Sequence, residues 1–340
     1  MTLPTEGPSG SLRRLEAEPD PRLAPFSTRD LALELRQRLR APELALHVGD
    51  LADQLGVLGI EIEQRTEASS NRLSRTRPAA CAAMIAGHVE SGECKLDGAT
   101  VLELGCGSIH PLGTLMVHVL CGARLAVGVD LDPPQDPQTA TRALLRLALA
   151  MLAAPEHLAP WARRTRQQVL AALDGFDLPK LWLGDPAGID GSRLRLIHGS
   201  AERLPMAQGE VDYCSSVSFL EHVPDVDAVL DEMARVMRSG GIAVHSIDGI
   251  DHATYGDASH GPLDFLREPA HLQLVFGCNR LRPSEFVARF ERAGFEVLAF
   301  EEHRRVEVDD RMRMGFAEPW RSMPKQTLEV VQGCIRARRR

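Results

Sequence analysis

Short apolar runs alternate with helical patterns through most of the sequence after residue 99. The runs are bounded by Gly, Asp or Ser, and stretches between them, such as Asp225–Met237, repeat their apolar residues with helical spacing. Strands that alternate with helices form parallel βαβ units in a doubly wound sheet. Five strands are predicted here: Val101–Leu104, Leu125–Val129, Leu194–Ile197, Val211–Ser215 and Ile242–Ser246. Two later runs, Glu296–Glu301 and Val330–Ala337, predict a closing pair with an antiparallel strand, so we expect an α/β fold with a seven-stranded, mostly parallel sheet.

Other regions accompany the predicted sheet. Residues 1–25 carry five prolines and two glycines without periodicity, which predicts a disordered leader. Residues 26–98 have helical spacing of apolar residues and are expected to cap one end of the sheet, and residues 99–340 to form the main domain. More than 60 residues separate Asp130 from the next strand at Leu194, whereas a crossover between parallel strands needs about a dozen. The surplus, residues 133–190, predicts a helical insertion, an accessory element that the sheet itself does not need.

The composition limits the partners of the chain. Its net charge of −8 is spread without a block, whereas proteins that bind nucleic acid usually carry a basic stripe. The one basic run, at residues 336–340, is predicted to be a solvated tail, so no nucleic-acid partner is expected.

The seven cysteines are odd in number and show no CxxC spacing, which predicts reduced thiols. Because no stretch of about 20 apolar residues and no signal pattern occur, we expect a cytoplasmic protein without a membrane partner.

A glycine-rich turn follows the first predicted strand. The segment reads Glu103-Leu-Gly105-Cys106-Gly107, and glycines at such a turn let the backbone approach a ligand closely. The helix that follows offers unpaired N–H groups. A pyridine dinucleotide would call for G-x-G-x-x-G, but the position of the third glycine holds His110. Asp130 ends the second strand, where its carboxylate can accept both hydroxyls of a ribose. The pattern therefore favours a nucleotide-like ligand across the turn over a turn that is merely tight.

Further segments follow in a fixed order. Gly199–Glu202 comes after the third strand, residues 211–225 read VDYCSSVSFLEHVPD, and residues 235–241 read RVMRSGG before the fifth strand. With the glycine turn and Asp130, this series resembles the class I S-adenosylmethionine-dependent methyltransferases, in particular the methyltransferase type 11-like group with an LEHV segment after strand four. The resemblance covers residues 99–340 apart from the insertion. It implies a Rossmann-like sheet, S-adenosyl-L-methionine as cofactor and methyl transfer as the reaction.

The resemblance also implies roles for individual residues. The loop around Gly105 would lie under the methionine part of the cofactor, Asp130 would hold the ribose, and Leu131 would flank the adenine. Residues after the third strand would meet the adenine edge, and residues at the end of the fourth strand would lie near the sulfonium. The predicted cofactor-binding residues are Glu103, Gly105, Cys106, Gly107, Asp130, Leu131, Ala201, Glu202, Ser216 and Val217. The chain departs from the usual pattern of the family at Ile109, Ser200 and Ser239.

Candidate catalytic residues follow strands four and five. Ligands bind beyond the carboxyl ends of parallel strands, and residues 245–255, HSIDGIDHATY, lie in such a place. His252 is the predicted proton acceptor, with Asp251 or Asp248 as the carboxylate that orients it. His222, in the LEHV segment, is expected to hold the loop near the cofactor. Two alternatives stay open: a polar loop without chemistry, and a divalent metal on Asp248, Asp251 and His252, which the spacing allows but does not demand.

The resulting prediction is methyl transfer to a hydroxyl or amine of a small-molecule, natural-product or sugar-like acceptor. A homodimer is an open expectation. The main alternative is a cofactor-binding protein of the same fold that does non-methylating chemistry or acts as a non-catalytic subunit. A nucleotide-dependent dehydrogenase is a second alternative. Methylation of RNA or protein also stays open, although the acidic balance weighs against RNA.

Overall fold

The computed structural model describes residues 95–340 except 109, 154 and 258, together with residues 82, 85, 86 and 89. The expected leader and most of the predicted N-terminal helical region therefore lie outside the described residues. Seven strands form one sheet in the order β3-β2-β1-β4-β5-β7-β6. The strands are β1 (Thr100–Leu104), β2 (Leu125–Asp130), β3 (Leu194–His198), β4 (Val211–Val217), β5 (Met237–Asp248), β6 (Phe295–Arg305) and β7 (Val330–Arg339).

Most neighbouring strands of this sheet run parallel. β1 pairs in parallel with β2 and β4, and the parallel pairing continues to β3 on one side and β5 on the other. Strand β7 is antiparallel to both of its neighbours, β5 and β6. The predicted seven-stranded, mostly parallel α/β sheet is thus confirmed. Because β1, β2, β4 and β5 are parallel and adjacent, the loops that follow them meet at one edge of the sheet.

Helices connect the strands. They are α1 (Gly113–Leu120), α2 (Pro137–Ala153), α3 (Pro155–Leu158), α4 (Arg166–Ala172), α5 (Leu178–Leu183), α6 (Val226–Val236), α7 (Glu285–Arg292), α8 (Asp310–Met314) and α9 (Lys325–Glu329). Helix α6 shows how the sequence defines them. The Asp225 carboxylate caps its start by accepting from the Ala228 N–H at 3.0 Å, and buried apolar residues recur on one face at Val226, Val229 and Met233.

The helices between β2 and β3 pack on one face of the sheet. Helices α2, α4 and α5 share a hydrophobic cluster with α1 and with Val101 and Ala126 of the sheet. Within α2, Leu144, Leu147 and Met151 are each 0% exposed. Burial of this kind contributes to folding in proportion to the apolar area removed from water. The segment predicted as a helical insertion is therefore helical, but its helices form part of the core rather than a separate layer. The boundaries of the predicted domains stay predictions.

The opposite face and the loops have clusters of their own. Helices α6 and α7 cover the other face, where Leu102 and Leu104 of β1 are buried. A third cluster lies in the segments that follow β5 and precede β7, and includes Phe265, Cys278 and Trp320. This cluster gives the loops after β5 their own apolar support, so that they can hold side chains in fixed positions at the edge of the sheet.

The basic C-terminal run is part of the sheet. β7 extends to Arg339, whose Nε donates to the Ala234 carbonyl at 2.8 Å and whose Nη1 donates to Gly294 at 2.9 Å. The expectation of a solvated tail was wrong, because the run continues strand β7 as far as Arg339, and the guanidinium of Arg339 donates to surrounding carbonyls. In the part of the chain that the structure describes, none of the helices combines the length and the apolar character needed to cross a membrane.

Candidate functional site

Two groups of loops form the candidate site. The first, called the β1–β2 edge, comprises residues 103–107 and 130–131. The second, called the β4–β5 edge, comprises residues 216–222, 245–255 and 276–282. Both lie at the carboxyl ends of adjacent parallel strands, where open α/β sheets bind their ligands.

The glycine turn after β1 has a backbone that only glycine adopts easily. Gly105 and Gly107 have φ angles of +65° and +80°. The Gly105 N–H donates to the Val129 carbonyl at 2.8 Å, which ties the turn to the end of β2. A Cβ at Gly105 would come within 2.8 Å of the Phe219 Cβ, from the loop after β4. The turn is therefore fixed by the backbone of β2 on one side and by Phe219 on the other.

Asp130 joins β2 to this turn. Its Oδ2 accepts from the Gly107 N–H at 2.7 Å, and its Oδ1 accepts from the Asp132 N–H at 3.0 Å. Each carboxylate oxygen has a second lone pair. The half-buried carboxylate can consequently hold the turn and still accept from a hydroxyl of a ligand.

The remaining predicted cofactor residues near β1, β2 and β3 differ in exposure. Glu103 is buried beneath the turn and accepts from the Thr114 hydroxyl. Cys106 is also buried, whereas the Leu131 side chain is 69% exposed. After β3, Ala201 is buried and Glu202 is exposed. An exposed leucine beside the carboxylate leaves an apolar surface on which a flat ring could stack.

Ser216 and Val217 end β4, at the boundary between the two edges. Ser216 is 0% exposed, and its hydroxyl lies 2.7 Å from Nδ1 of the buried His245 on β5. Val217 is half-buried at the end of the strand. The Ser216 side chain thus links two strands inside the sheet. Val217, the last residue of β4, is the one of these two predicted cofactor-binding residues that adjoins the loop after the strand.

A buried carboxyl pair lies at the β4–β5 edge. Glu221 is 1% exposed, and its Oε1 accepts from the Asp248 N–H at 3.3 Å. Burial, together with the nearby Asp248 carboxylate, raises the pKa of Glu221 to about 8. The Tyr255 hydroxyl donates to Asp248 Oδ2 at 2.5 Å. A carboxyl group with such a pKa can exist in both protonation states near neutral pH.

His222 and His252 lie together above this pair. Their ring centroids are 4.8 Å apart, and the His222 Nδ1 lies 2.9 Å from the Gly277 carbonyl oxygen. The His252 Nε2 is 3.8 Å from Asp248 Oδ2. Burial lowers the pKa of His252, His222 lowers it further, and Asp248 opposes both. His252 is therefore held in its neutral form, which is the form that accepts a proton.

The Asp251 carboxylate binds backbone N–H groups of the loops after β5. It is 0% exposed; its Oδ1 accepts from the Ala253 N–H at 2.9 Å and its Oδ2 from the Phe265 N–H at 2.8 Å. Both oxygens thus fix the loop that carries His252. The structure brings Asp248 to the His252 ring, while both oxygens of Asp251 accept from backbone N–H groups, which does not favour the open alternative of one ion on Asp248, Asp251 and His252.

Two buried arginines hold the loops of the β4–β5 edge in place. Arg282 is 0% exposed and its Nη2 donates to the carbonyls of Gly249 and Val330 at 2.8 and 3.2 Å. Burial lowers the pKa of Arg282 to about 10. Arg280 donates to four carbonyls between Phe265 and Leu272 and lies 4.3 Å above the Trp320 ring.

Sequence reasoning missed several residues of this edge. Glu221 stood inside the LEHV segment as an acid in an apolar stretch, which is the signal that could have found it. Tyr255, Cys278 and Arg282 carried no such signal, because each reaches the edge only through the folding of a loop after β5.

Comparisons with known proteins find similarity to methyltransferases. Residues 161–245 match a family model described as a methyltransferase domain. The chain is 40% identical over 88 residues to an uncharacterized methyltransferase of Mycobacterium sp. (strain JLS), which is 26% of this chain and 32% of the relative. It is 45% identical over 53 residues to a demethylmenaquinone methyltransferase of Bacillus licheniformis, which is 16% of this chain and 23% of that relative. The chain thus spans about a third or less of the length of these relatives.

Among solved structures, a geranyl diphosphate C-methyltransferase of Streptomyces coelicolor A3(2) is similar with a TM-score of 0.45 and 16% identity, over 90% of this chain and 88% of that one. Residues 161–245 are thus similar to a methyltransferase domain, and they lie in a sheet of Rossmann-like order. The similarity is to S-adenosylmethionine-dependent methyltransferases of class I.

Proposed function

We propose that the protein transfers a methyl group from S-adenosylmethionine to a hydroxyl or amine of a small-molecule acceptor, of natural-product or sugar-like type. The hydrogen bond from the Gly107 N–H to the Asp130 carboxylate supports the proposal most directly, because it places a carboxylate and a glycine turn together at the ends of adjacent strands. The donor set fits the cofactor: carboxylate lone pairs suit ribose hydroxyls, and the exposed Leu131 suits an adenine ring. When bound, the cofactor supplies an electrophilic methyl group on its sulfonium.

The polar side chains of the β4–β5 edge would serve the acceptor. We propose His252 as the proton acceptor for a hydroxyl, with Asp248 at 3.8 Å as the carboxylate that orients its ring. The proton lost by the hydroxyl would be held on the imidazole. His222 would position the loop through its contact with Gly277. Asp251 would act on the loop alone, through the backbone amides that it accepts from.

The surface around these groups supports a small organic acceptor. Tyr255 and Phe276 are 54% and 58% exposed, and Leu272 and Leu274 also have exposed side chains. Exposed apolar side chains close to polar, titratable groups are typical of sites for ligands with both apolar and polar parts. The net charge of −8 does not favour a polyanionic partner.

The experiment uses the full chain with S-adenosylmethionine that carries a deuterated methyl group. A small-molecule extract of the source cells serves as the acceptor pool, and mass spectrometry identifies products with the added label. We expect S-adenosylhomocysteine and a labelled product to form together, and both to be reduced in the Asp130→Ala variant at the same cofactor concentration. Binding of the cofactor without any labelled product would contradict methyl transfer and favour the non-methylating alternative.

A further inference from the structure

His222, His252 and Cys278 form a cluster of metal-binding side chains at the β4–β5 edge. One donor atom of each lies within 4.8 Å of the other two. A tetrahedral zinc ion, with bonds of about 2.0–2.3 Å, holds its ligand atoms roughly 3.3–3.6 Å apart. Movements of about 1 Å, within the range of side-chain rotation, bring the cluster to that geometry. We propose that these three side chains bind one Zn²⁺ ion.

Hydrogen bonds hold two of the three groups, the His222 ring and the Cys278 sulfur, in positions that suit metal ligands. A carbonyl oxygen cannot donate, so the His222 Nδ1 must carry the proton in its contact with Gly277, which leaves Nε2 with a free lone pair. A histidine that ligates a metal typically donates its other N–H to such a carbonyl. The backbone N–H of His252 hydrogen-bonds to the Cys278 sulfur, which fixes the position of that side chain. The His252 Nε2 is buried without a hydrogen-bond partner. A ligand on this ring would remove the cost of an unsatisfied buried nitrogen.

The charges around the cluster favour a cation. Burial raises the pKa of the Cys278 thiol, and the carboxyl groups of Glu221, Asp248 and Asp251 raise it as well, so the sulfur ionises only when a cation binds beside it. Two imidazoles and one thiolate carry a single negative charge, so these carboxylates offset the remaining charge of a divalent ion. Imidazole and thiolate donors together select zinc and related soft transition metals over Mg²⁺, which prefers oxygen. When the ion binds, the metal–sulfur bond forms and the thiol proton of Cys278 passes to the solvent.

Three protein ligands leave the fourth position of a tetrahedral ion open, as in catalytic zinc sites. His222 is exposed, so an ion and a further ligand can reach the cluster from solvent. If the proposed methyl transfer holds, an acceptor hydroxyl at that position would release its proton to solvent on coordination, whereas in the chain without the ion His252 would accept that proton. Metal binding itself does not depend on that function.

The test is metal binding by the purified full chain without cofactor or acceptor. Zn²⁺ content is measured by mass spectrometry after dialysis, and Co²⁺ replaces zinc as the spectroscopic probe. We expect about one ion per chain, with the intense visible bands of tetrahedral Co²⁺ and a sulfur-to-cobalt charge-transfer band. Cys278→Ser should abolish the charge-transfer band, and His222→Ala should weaken binding by at least about 10–100-fold. Because His222 is exposed, its variant is expected to fold even if Cys278→Ser does not.

Matched controls are Cys334→Ser and His303→Ala, which change the same residue types away from the cluster, on β7 and β6. Both should bind Co²⁺ like the unaltered chain. Absence of stoichiometric binding, a cobalt spectrum without the charge-transfer band, or binding that survives His222→Ala would each overturn the proposal. Titration of the same samples with S-adenosylhomocysteine separates this outcome from a failure of the proposed function.

Discussion

The two edges of the site are built in different ways. At the β1–β2 edge, the contacts that define the ligand site are made by the backbone of one glycine turn and by one carboxylate, Asp130. At the β4–β5 edge, the site is made by side chains from three separate segments, held by buried groups such as Glu221 and Arg282. The first arrangement depends on short spacing along the chain. The second arrangement depends on how distant loops pack. The β1–β2 edge can therefore be common to many proteins, whereas the β4–β5 edge can be specific to one acceptor.

The largest expected effect comes from the core that both edges share. Replacing residues 137–183 with a short linker should unfold the protein, because Leu144, Leu147 and Met151 are fully buried against the sheet. As a matched pair, Leu147→Ala should reduce the free energy of unfolding by about 2–5 kcal/mol, and Leu183→Ala, at a side chain 67% exposed, by about 0.5 kcal/mol or less. Denaturant unfolding measures both. A folded deletion variant that still binds cofactor would show that the helices are accessory after all.

The next largest effect separates chemistry from cofactor binding. His252→Ala should lower the turnover of a hydroxyl acceptor by about 10²–10⁴-fold and leave the affinity for S-adenosylhomocysteine unchanged, since His252 belongs to the β4–β5 edge. His260→Ala is the control, because this half-exposed histidine of the same loop pairs with the exposed Asp257 instead. Steady-state kinetics and calorimetry give the two readouts. Normal turnover in His252→Ala together with an inactive His222→Ala would reverse the roles of the two histidines.

A smaller effect is expected at the β1–β2 edge. Asp130→Ala should weaken cofactor binding by about 10–100-fold, since a hydrogen bond to a charged group contributes about 1.5–3 kcal/mol. Asp132→Ala is the matched control: its carboxylate is exposed, and only its backbone N–H contacts Asp130. Calorimetric titration measures both variants. Equal affinity in Asp130→Ala and the unaltered chain would remove Asp130 from the site.

A separate effect, on the pH dependence of stability, concerns Glu221, whose pKa is raised from 4.5 to about 8 by burial. The folded state favours the protonated form, so this group stabilises the fold fully below its unfolded pKa, and the contribution is lost as the pH rises through about 8. Glu221→Gln, measured in metal-free protein, should therefore lose less stability than the unaltered chain as the pH rises through this range. The exposed Glu291→Gln should leave the pH dependence as it was. If the free energy of unfolding depended on pH in the same way in Glu221→Gln and in the unaltered chain, Glu221 would ionise in the folded state without a loss of stability.

The difference between the edges also explains what could be predicted from the sequence. The strands and the glycine turn follow from local patterns, because apolar runs and glycines determine backbone conformation over a few residues. The contact between Asp130 and Gly107 requires only that β1 and β2 are adjacent and parallel, because the residues at their carboxyl ends then lie side by side. By contrast, Cys278 approaches His222 because the neighbouring Asn279 binds a distant segment: its N–H donates to the Glu221 carbonyl at 2.7 Å and its side chain donates to the Leu220 carbonyl at 2.8 Å. Asp251 was a plausible partner for His252 by position alone, yet the Phe265 amide binds its carboxylate.

The central claim is that the β1–β2 edge binds S-adenosylmethionine rather than a pyridine dinucleotide. The most direct measurement is calorimetric titration of the full chain with S-adenosylhomocysteine and, in parallel, with NAD⁺ and NADP⁺. His110 stands where a dinucleotide site would have its third glycine, so we expect saturable binding of S-adenosylhomocysteine and none of the dinucleotides. Saturable binding of a dinucleotide without binding of S-adenosylhomocysteine would contradict the account.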